Sequence, residues 1–516
     1  MTDTAFPLET AAHPQGLRRV AIDPVSRVEG HGKVTILLDD ANRVQQVRLH
    51  IVEFRGFEKF IEGRPYWEVP VMVQRLCGIC PVSHHLAASK ALDAVVGAFP
   101  VPPTAQKMRR LMHYGQVLQS HALHFFHLSS PDLLFGFDSE VNRRNIVGVA
   151  QAHPEIARQG VLLRKWGQEV IRATAGKRVH GTGSVPGGVN RHLSPEDHAL
   201  LAGDAAQMLA FAQSAVDIAR GLHAQNTALY DGFGACPANM LSLVRADGAM
   251  DLYDGVLRAR DAQGFIILDG APVDSYLQLI EEEVRPWSYM KFPYLRSLGR
   301  EAGWYRVGPL ARVQNCGFIP TPLAEARRLE FLAHGQGRPS HAALATHWAR
   351  MIELLHCAEL IAQLLEDADL RSGPLTAADP LRAARNAKGE REGVGVIEAP
   401  RGTLIHHYRV GDDDLVTMCN LIVSTTHNNQ AMNEAVRSVA REYLDGRELT
   451  EGLLNHIEVA IRAYDPCLSC ATHALGQMPL DVALVDAQGV LLDRVFKGSD
   501  GSLVHDAGSA VGLGVP

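Results

Sequence analysis

Tyr464-Asp465-Pro466-Cys467-Leu468-Ser469-Cys470-Ala471-Thr472-His473 is the stretch on which the reading of this 516-residue sequence turns. Its counterpart is Gln74-Arg75-Leu76-Cys77-Gly78-Ile79-Cys80, which follows Arg55-Gly56-Phe57-Glu58 after fifteen residues. A C-x-x-C pair lets two sulfurs converge on one metal. Pro81 suits the first position of a helix, whose amide end would favour the thiolates beside it. Between Cys80 and Cys467 lie 386 residues. If the two pairs share a metal, the chain folds back and both ends meet at one buried site. That predicts one interwoven domain rather than two separate ones.

Thiolates are soft ligands and select zinc, copper, iron–sulfur or nickel–iron chemistry over hard cations. Without context, two C-x-x-C pairs read as structural zinc. Zinc-ribbon pairs, however, usually lie about 15–20 residues apart. The four other cysteines, Cys236, Cys316, Cys357 and Cys419, stand alone and read as buried small apolar residues.

Outside the motifs the composition is that of a globular protein, 46% hydrophobic and 21% charged. The net charge of −7 argues against a nucleic-acid surface. No apolar run of about 18 residues predicts a membrane span. Met1 to Pro14 lacks the pattern of a secretory signal, so a cytoplasmic chain is expected.

The fold class expected is mainly α with small β regions at each end (α+β), a helical core behind an N-terminal β-hairpin region. Residues 17–53 supply the hairpin: Val34, Ile36 and Leu38 alternate, Asp39 to Asn42 turn, and Val47, Leu49 and Ile51 alternate again. Helices are expected over Pro81–Val96, after the cap Ser194, and after Ser340 as a second cap. Beyond Ser340, Trp348, Met351, Ile352, Leu355, Ala358 and Leu365 recur on one face. Residues 372–395, rich in Gly, Pro and charge, read as a surface loop. Gly181 to Gly188 reads as a turn rather than a dinucleotide site. His113, His121, His124 and His127 read as packed or hydrogen-bonded.

The two cysteine stretches resemble the signature motifs of nickel–iron hydrogenase large subunits, in the right order and at opposite ends of the chain. Arg27-Val28-Glu29-Gly30-His31 is similar to that family's N-terminal motif. The resemblance implies terminal nickel ligation by Cys77 and Cys467. Cys80 and Cys470 would bridge to an iron carrying cyanide and carbon monoxide. It makes Glu29 the proton-gating carboxylate, with the Cys467 sulfur as first proton acceptor. It places Arg401 over the metals, held by Asp132 and Asp465. His84 would hydrogen-bond a bridging sulfur, with His85 pointing elsewhere, and Ser424 would hydrogen-bond a cyanide ligand. Glu58, His473 and the carbonyl near Asn420 would hold a second, harder metal, usually magnesium.

Within the family, Tyr464 to Leu480 and Trp287 to Leu298 look most like the cytoplasmic NAD-reducing, bidirectional type. That implies a small iron–sulfur subunit, together with a diaphorase carrying FMN, which deliver electrons to NAD. An NADP-linked or sulfur-reducing relative is the alternative, as are a zinc-stapled structural protein and a respiratory-complex relative without the chemistry. The resemblance further implies a precursor. Nickel-insertion proteins would act first, and an endopeptidase would then cut after His473. Residues 474–516 would be the removable propeptide. There Val482–Val485 and Val490–Phe496 flank a turn at Gly489, and a loose terminus is expected beyond Lys497.

Overall fold

The computed structural model describes residues 16–98, 100–285, 287–377, 389–472, 480–485, 491–497 and 503–506. The N-terminal region is an antiparallel meander of β1 (Arg18–Ile22), β2 (Gly32–Leu38) and β3 (Val44–Ile51). The expected hairpin is its β2–β3 half, with Val34 opposite Leu49 and Ile36 opposite Val47. The alternation decides this pairing, because it places Val34, Ile36, Val47, Leu49 and Ile51 in the core.

Four long helices follow: α1 (Pro81–Val96), α2 (Pro103–Leu123), α3 (Pro154–Ala175) and α4 (Pro195–Gln225). All four carry proline at the helix start, where its missing N–H costs nothing. Ser194 caps α4 by accepting from Asp197 N at 3.1 Å, as expected. A fifth, α5 (Ala345–Leu365), is buried on nearly all sides. Ser340 is not its cap: its N–H donates to Gln314 Oε1 at 2.6 Å, and the helix opens from Leu344. The six apolar residues expected on one face of α5 are all in the core.

The composition of residues 372–395 predicts a loop, yet β4 (Arg391–Ala399) begins inside them. It pairs antiparallel with β5 (Gly402–Val410), which pairs with β6 (Val416–Ile422). The glycines that suggest a loop serve close packing instead. A Cβ on Gly393 would stand 2.0 Å from Ala91 O, and one on Gly395 2.1 Å from Ala87 O. β4 therefore lies backbone to backbone on the alanine face of α1. A further sheet orders Tyr305–Arg306, Asn239–Val244, Val256–Arg260 and Ile266–Ala271 in mid-chain, where the sequence predicts no strand. Every residue of Asn239–Val244 is buried, so the strand carries no alternation to betray it.

The C-terminal hairpin is present as Leu480–Val485 paired with Leu491–Lys497. A third strand, Leu503–Asp506, pairs with the second in place of the expected loose end. Gly181–Gly188 closes a two-residue hairpin, Ser184–Val185 against Gly188–Val189. Among the described residues no helix is long and apolar enough to cross a membrane.

Candidate metal centre

Two short helical turns, Val69–Met72 and Val73–Leu76, bring the chain to Cys77, whose backbone is extended. The loop then curls round the sulfur: Ile79 N and Cys80 N approach Cys77 Sγ at 3.2 and 3.4 Å. Gln116 and Gln119 of α2 donate to Ile79 O at 2.8 and 3.0 Å and hold that loop from outside. α1 starts immediately afterwards, its amide end beside the sulfurs as the position of Pro81 predicts. The second pair follows the helix Glu451–Ala463. Asp465 turns the chain in the left-handed region (φ 54°), which aspartate tolerates. Thr425 Oγ1 accepts from Cys467 N at 2.9 Å.

The four sulfurs meet. Cys77 Sγ lies 2.9 Å from Cys467 Sγ, Cys467 Sγ 3.0 Å from Cys470 Sγ, and Cys80 Sγ 3.8 Å from Cys470 Sγ. All four fall within 4.8 Å of one another, all are buried, and none forms a disulfide. Burial works against ionising Cys77, yet hydrogen bonds from Cys467, Cys470 and Cys80 outweigh it and hold that thiol well below its ordinary value. Burial pushes Cys467 and Cys470 well above theirs. Four thiolates at this spacing repel one another, and a bound cation removes that cost. The donor set therefore fits a thiophilic metal centre.

Beside the sulfurs is a small cavity of about 10 Å³, lined by Cys80, His84, Arg401, Val423, Ser424 and Cys467 among others. Arg401 sits at the tip between β4 and β5. Its Nε donates to the Asp465 carbonyl and its Nη2 to Asp465 Oδ1 at 2.9 Å. The sulfurs and Asp465 raise the Arg401 pKa although burial opposes it, so the guanidinium stays charged. Burial raises the Asp465 carboxyl, partly offset by Arg401 and Arg350.

Glu29 reaches the same centre from the β1–β2 connection. Its backbone bridges to Cys467, and Leu468 N donates to its carbonyl at 2.9 Å. Its carboxylate accepts from Ser469 Oγ and, at 3.2 Å, from Ser469 N. Burial, then the charge of Cys77, raises its pKa. The approach needs Gly30 (φ 81°), where a Cβ would stand 2.6 Å from Ser469 N.

The family profile described as nickel-dependent hydrogenase matches residues 55–136 and 260–473, and a HoxL-like profile matches 19–54. This chain belongs to the nickel-dependent hydrogenases. It is 50% identical over 489 residues to the NAD-reducing hydrogenase HoxS subunit beta of Cupriavidus necator, covering 92% of this chain and 99% of that one. It is 41% identical over 485 residues to an F420-non-reducing hydrogenase chain of Methanothermobacter thermautotrophicus, covering 92% of this chain and all of that one. The crystal structure of an NAD+-reducing [NiFe]-hydrogenase in the H2-reduced state superposes with a TM-score of 0.85 at 60% identity. That match covers 88% of this chain and 99% of the other. The zinc-stapled alternative is thereby set aside.

Other expected residues of this hydrogenase fall as follows. His84 and Ser424 line the cavity. His84 Nδ1 lies 3.0 Å from His406 Nε2, and Ser424 Oγ donates to Gly402 O at 2.8 Å. His85 points away, to Pro70 O at 2.8 Å. Asp132 is a correction. The resemblance implies that it holds Arg401, whereas it accepts from Arg27 at 2.6 Å, Arg462 at 2.9 Å and Asn455 at 3.1 Å. Burial raises the Asp132 carboxyl, but Arg462 and Arg27 outweigh it and keep it below its ordinary value. The second group near Arg401 is Ser120, with Oγ 3.4 Å from Nη1.

Glu58 Oε1 accepts from Leu421 N at 2.8 Å, which sets it beside Asn420. Thr472 O accepts from Arg55 N and Gly56 N at 3.2 and 3.3 Å, so the end of the second motif reaches the Glu58 neighbourhood. Asn420 Nδ2 donates to Tyr276 OH at 2.7 Å. His473, expected as a ligand here, lies outside the described residues. The isolated cysteines are buried as expected, and His113, His121 and His124 hydrogen-bond to Leu252 O, Glu353 and Arg462 O.

Sequence reasoning missed Thr425, Ser469, Gln116, Gln119 and a buried charge cluster. In that cluster Arg312 pairs with Glu353 at 2.5 Å and Glu398 at 2.8 Å. It also donates to Ala399 O and Pro400 O, at 3.0 and 3.4 Å, directly before Arg401. No local signal marks these residues, because their partners are distant in sequence.

Proposed function

We propose that this hydrogenase is the catalytic subunit of a cytoplasmic NAD-linked enzyme interconverting dihydrogen with protons and electrons. The observation that carries this reading is the convergence of four buried sulfurs beside a small cavity that Arg401, Cys80 and Cys467 line, with Glu29 held against the second cysteine loop. The likeness to the Cupriavidus NAD-reducing subunit supports NAD as the distant acceptor. When bound, a nickel–iron pair, with cyanide and carbon monoxide on iron, supplies the electron-rich site where dihydrogen is cleaved heterolytically.

The protein's own part is to hold, exclude and relay. Cys77 and Cys467 would hold nickel, and Cys80 and Cys470 would hold it together with iron. Arg401, fixed by Asp465, offers a charged donor at the cavity wall, and the apolar lining keeps bulk water out. His84 would hydrogen-bond a cysteine sulfur, and Ser424, by turning its hydroxyl away from Gly402 O, would donate toward a cyanide on iron. A proton taken by the Cys467 sulfur passes to the Glu29 carboxylate, which stands at the partly exposed edge of the site. Glu58, the carbonyl near Asn420 and His473 would hold a magnesium ion near the end of the second motif.

Four of the eight cysteines are assigned to that centre, and Cys236, Cys316, Cys357 and Cys419 stand apart from it, so this chain offers no cysteine set for an iron–sulfur cluster. Electrons therefore leave through a small iron–sulfur subunit, then reach NAD through an FMN-containing diaphorase. The mature catalytic chain is residues 1–473. Residues 474–516 are a propeptide removed by an endopeptidase once nickel-insertion proteins have delivered the metal. Two observations support this: the family match ends at residue 473, and the described strands beyond it pair only with one another.

Infrared absorption of metal-bound cyanide and carbon monoxide, with nickel and iron at about one each per chain, tests the centre. The purified single chain is expected to reduce an artificial dye with dihydrogen but not NAD. Flavin bound to the single chain would overturn the electron route.

A further inference from the structure

Three helices end at one corner of the molecule. His223 stands in the last turn of α4, Asp231 on the short helix Thr227–Gly232, and His334 at the end of the helix Pro322–His334. Both imidazoles aim at one carboxylate. His223 Nε2 is 2.8 Å from Asp231 Oδ1, and His334 Nε2 is 3.0 and 3.1 Å from Oδ1 and Oδ2. The three donor atoms lie within 4.8 Å of one another. Trp348 of α5 backs both rings, at 5.3 Å from His223 and 5.8 Å from His334. His223 is buried, whereas the side chains of Asp231 and His334 are 46% and 32% exposed, so the cluster has a fixed wall and an open side.

Hydrogen bonds now join the two imidazoles to the carboxylate, and the same three donor atoms stand close enough for one cation to replace those protons. The location favours positive charge as well, since both histidines sit where helix carbonyl ends accumulate. Burial keeps His223 below its ordinary pKa, and the hydrogen bonds from His334 and His223 keep the Asp231 carboxyl low although its partial burial opposes this. Neutral imidazole and ionised carboxylate are the metal-binding forms.

We propose that His223, Asp231 and His334 form a second metal site, separate from the cysteine centre, for a borderline divalent transition ion such as zinc. Two nitrogens and one carboxylate suit zinc or nickel, whereas magnesium and calcium prefer oxygen alone. Zinc–ligand bonds of about 2.0–2.2 Å need donors roughly 3.3 Å apart. The two histidine–carboxylate separations, 2.8 and 3.0 Å, reach that when Asp231 and His334 shift by a few tenths of an ångström on their exposed side. Three protein ligands leave a fourth position to water. His223 Nδ1 is buried and without a hydrogen-bond partner, so the ring lacks the outer acceptor that usually orients a ligating imidazole. That lack costs about 10–100-fold in affinity, which makes the site one of moderate strength. Its effect is to clamp three helix ends over Trp348.

The test uses the mature holoenzyme stripped of labile metal by a chelator, then given zinc chloride and passed through gel filtration. Wild type is expected to retain one more zinc per chain than His334→Ala or Asp231→Asn, both altered on the open side. Each variant should bind zinc at least about tenfold more weakly. Nickel and iron content should be equal in all three, which confirms that the variants fold. Zinc, but not magnesium, should raise the melting temperature of wild type alone. Equal zinc retention in wild type and both variants overturns the proposal, as does an equal thermal shift from magnesium.

Discussion

The backbone of Glu29 bridges that of Cys467 in parallel, and Leu468 N–H donates to the Glu29 carbonyl at 2.9 Å. The pairing joins the N-terminal meander to the second cysteine motif. It also brings the Glu29 carboxylate to Ser469 within the cysteine loop. One β-type contact thus sets both the closure of the metal centre and the position of the acid beside it.

Glu29→Gln keeps the shape of the side chain and removes its proton-carrying group. Turnover and H/D exchange are expected to fall by about 10²–10⁴-fold, the usual worth of a positioned acid–base group. Nickel and iron content and the infrared bands should be retained. Exchange at the wild-type rate would show that protons leave by another group.

Arg312→Met tests the buried clamp beneath Arg401. Removing this cation leaves Glu353 and Glu398 buried without it, and frees the carbonyls of Ala399 and Pro400. Breaking such a buried pair costs about 3–5 kcal/mol. A markedly lower melting temperature is expected, with activity lost beyond what metal content explains. An unchanged melting temperature would remove the clamp from the account of Arg401.

Stability should fall on mild acidification. Burial holds His50, His85, His113, His121 and His356 at about 4 and His347 at about 3, against an ordinary 6.5. Between these values the unfolded chain binds protons that the folded chain does not. The stability these groups contribute is therefore complete above 6.5 and is lost as pH falls toward 4. Each contributes up to about 1.4 kcal/mol per pH unit in that window. Calorimetric melting temperatures should drop steeply between about pH 7 and about pH 5. A flat profile there would mean that these imidazoles are already charged in the folded protein.

Intact mass decides the C-terminal proposal. Active enzyme is expected to end at His473, without the 43 residues 474–516. A mass for all 516 residues with normal turnover would rule processing out.

The sequence alone was enough to single out the four cysteines that converge, because C-x-x-C spacing and its flanking residues are local patterns. The β2–β3 hairpin, the Ser194 cap and the helix start at Pro81 were legible for the same reason: each rests on neighbours within a few residues. Asp465 beside Arg401 was named from the resemblance and is found there, whereas the partners of Asp132 and the second neighbour of Arg401 were not legible. Asp132 and Arg401 are charged residues whose pairing depends on which distant chain passes beside them, and the fold gives Asp132 to Arg27 and Arg462 and sets Ser120 by Arg401. Gly393 and Gly395 read as loop residues in isolation, yet they form a strand because α1 lies against them too closely for any side chain. Asn239–Val244 was hidden because a strand buried on both faces has no alternation. Only tertiary structure decides such cases, since burial and charge pairing are properties of surfaces that meet across the chain.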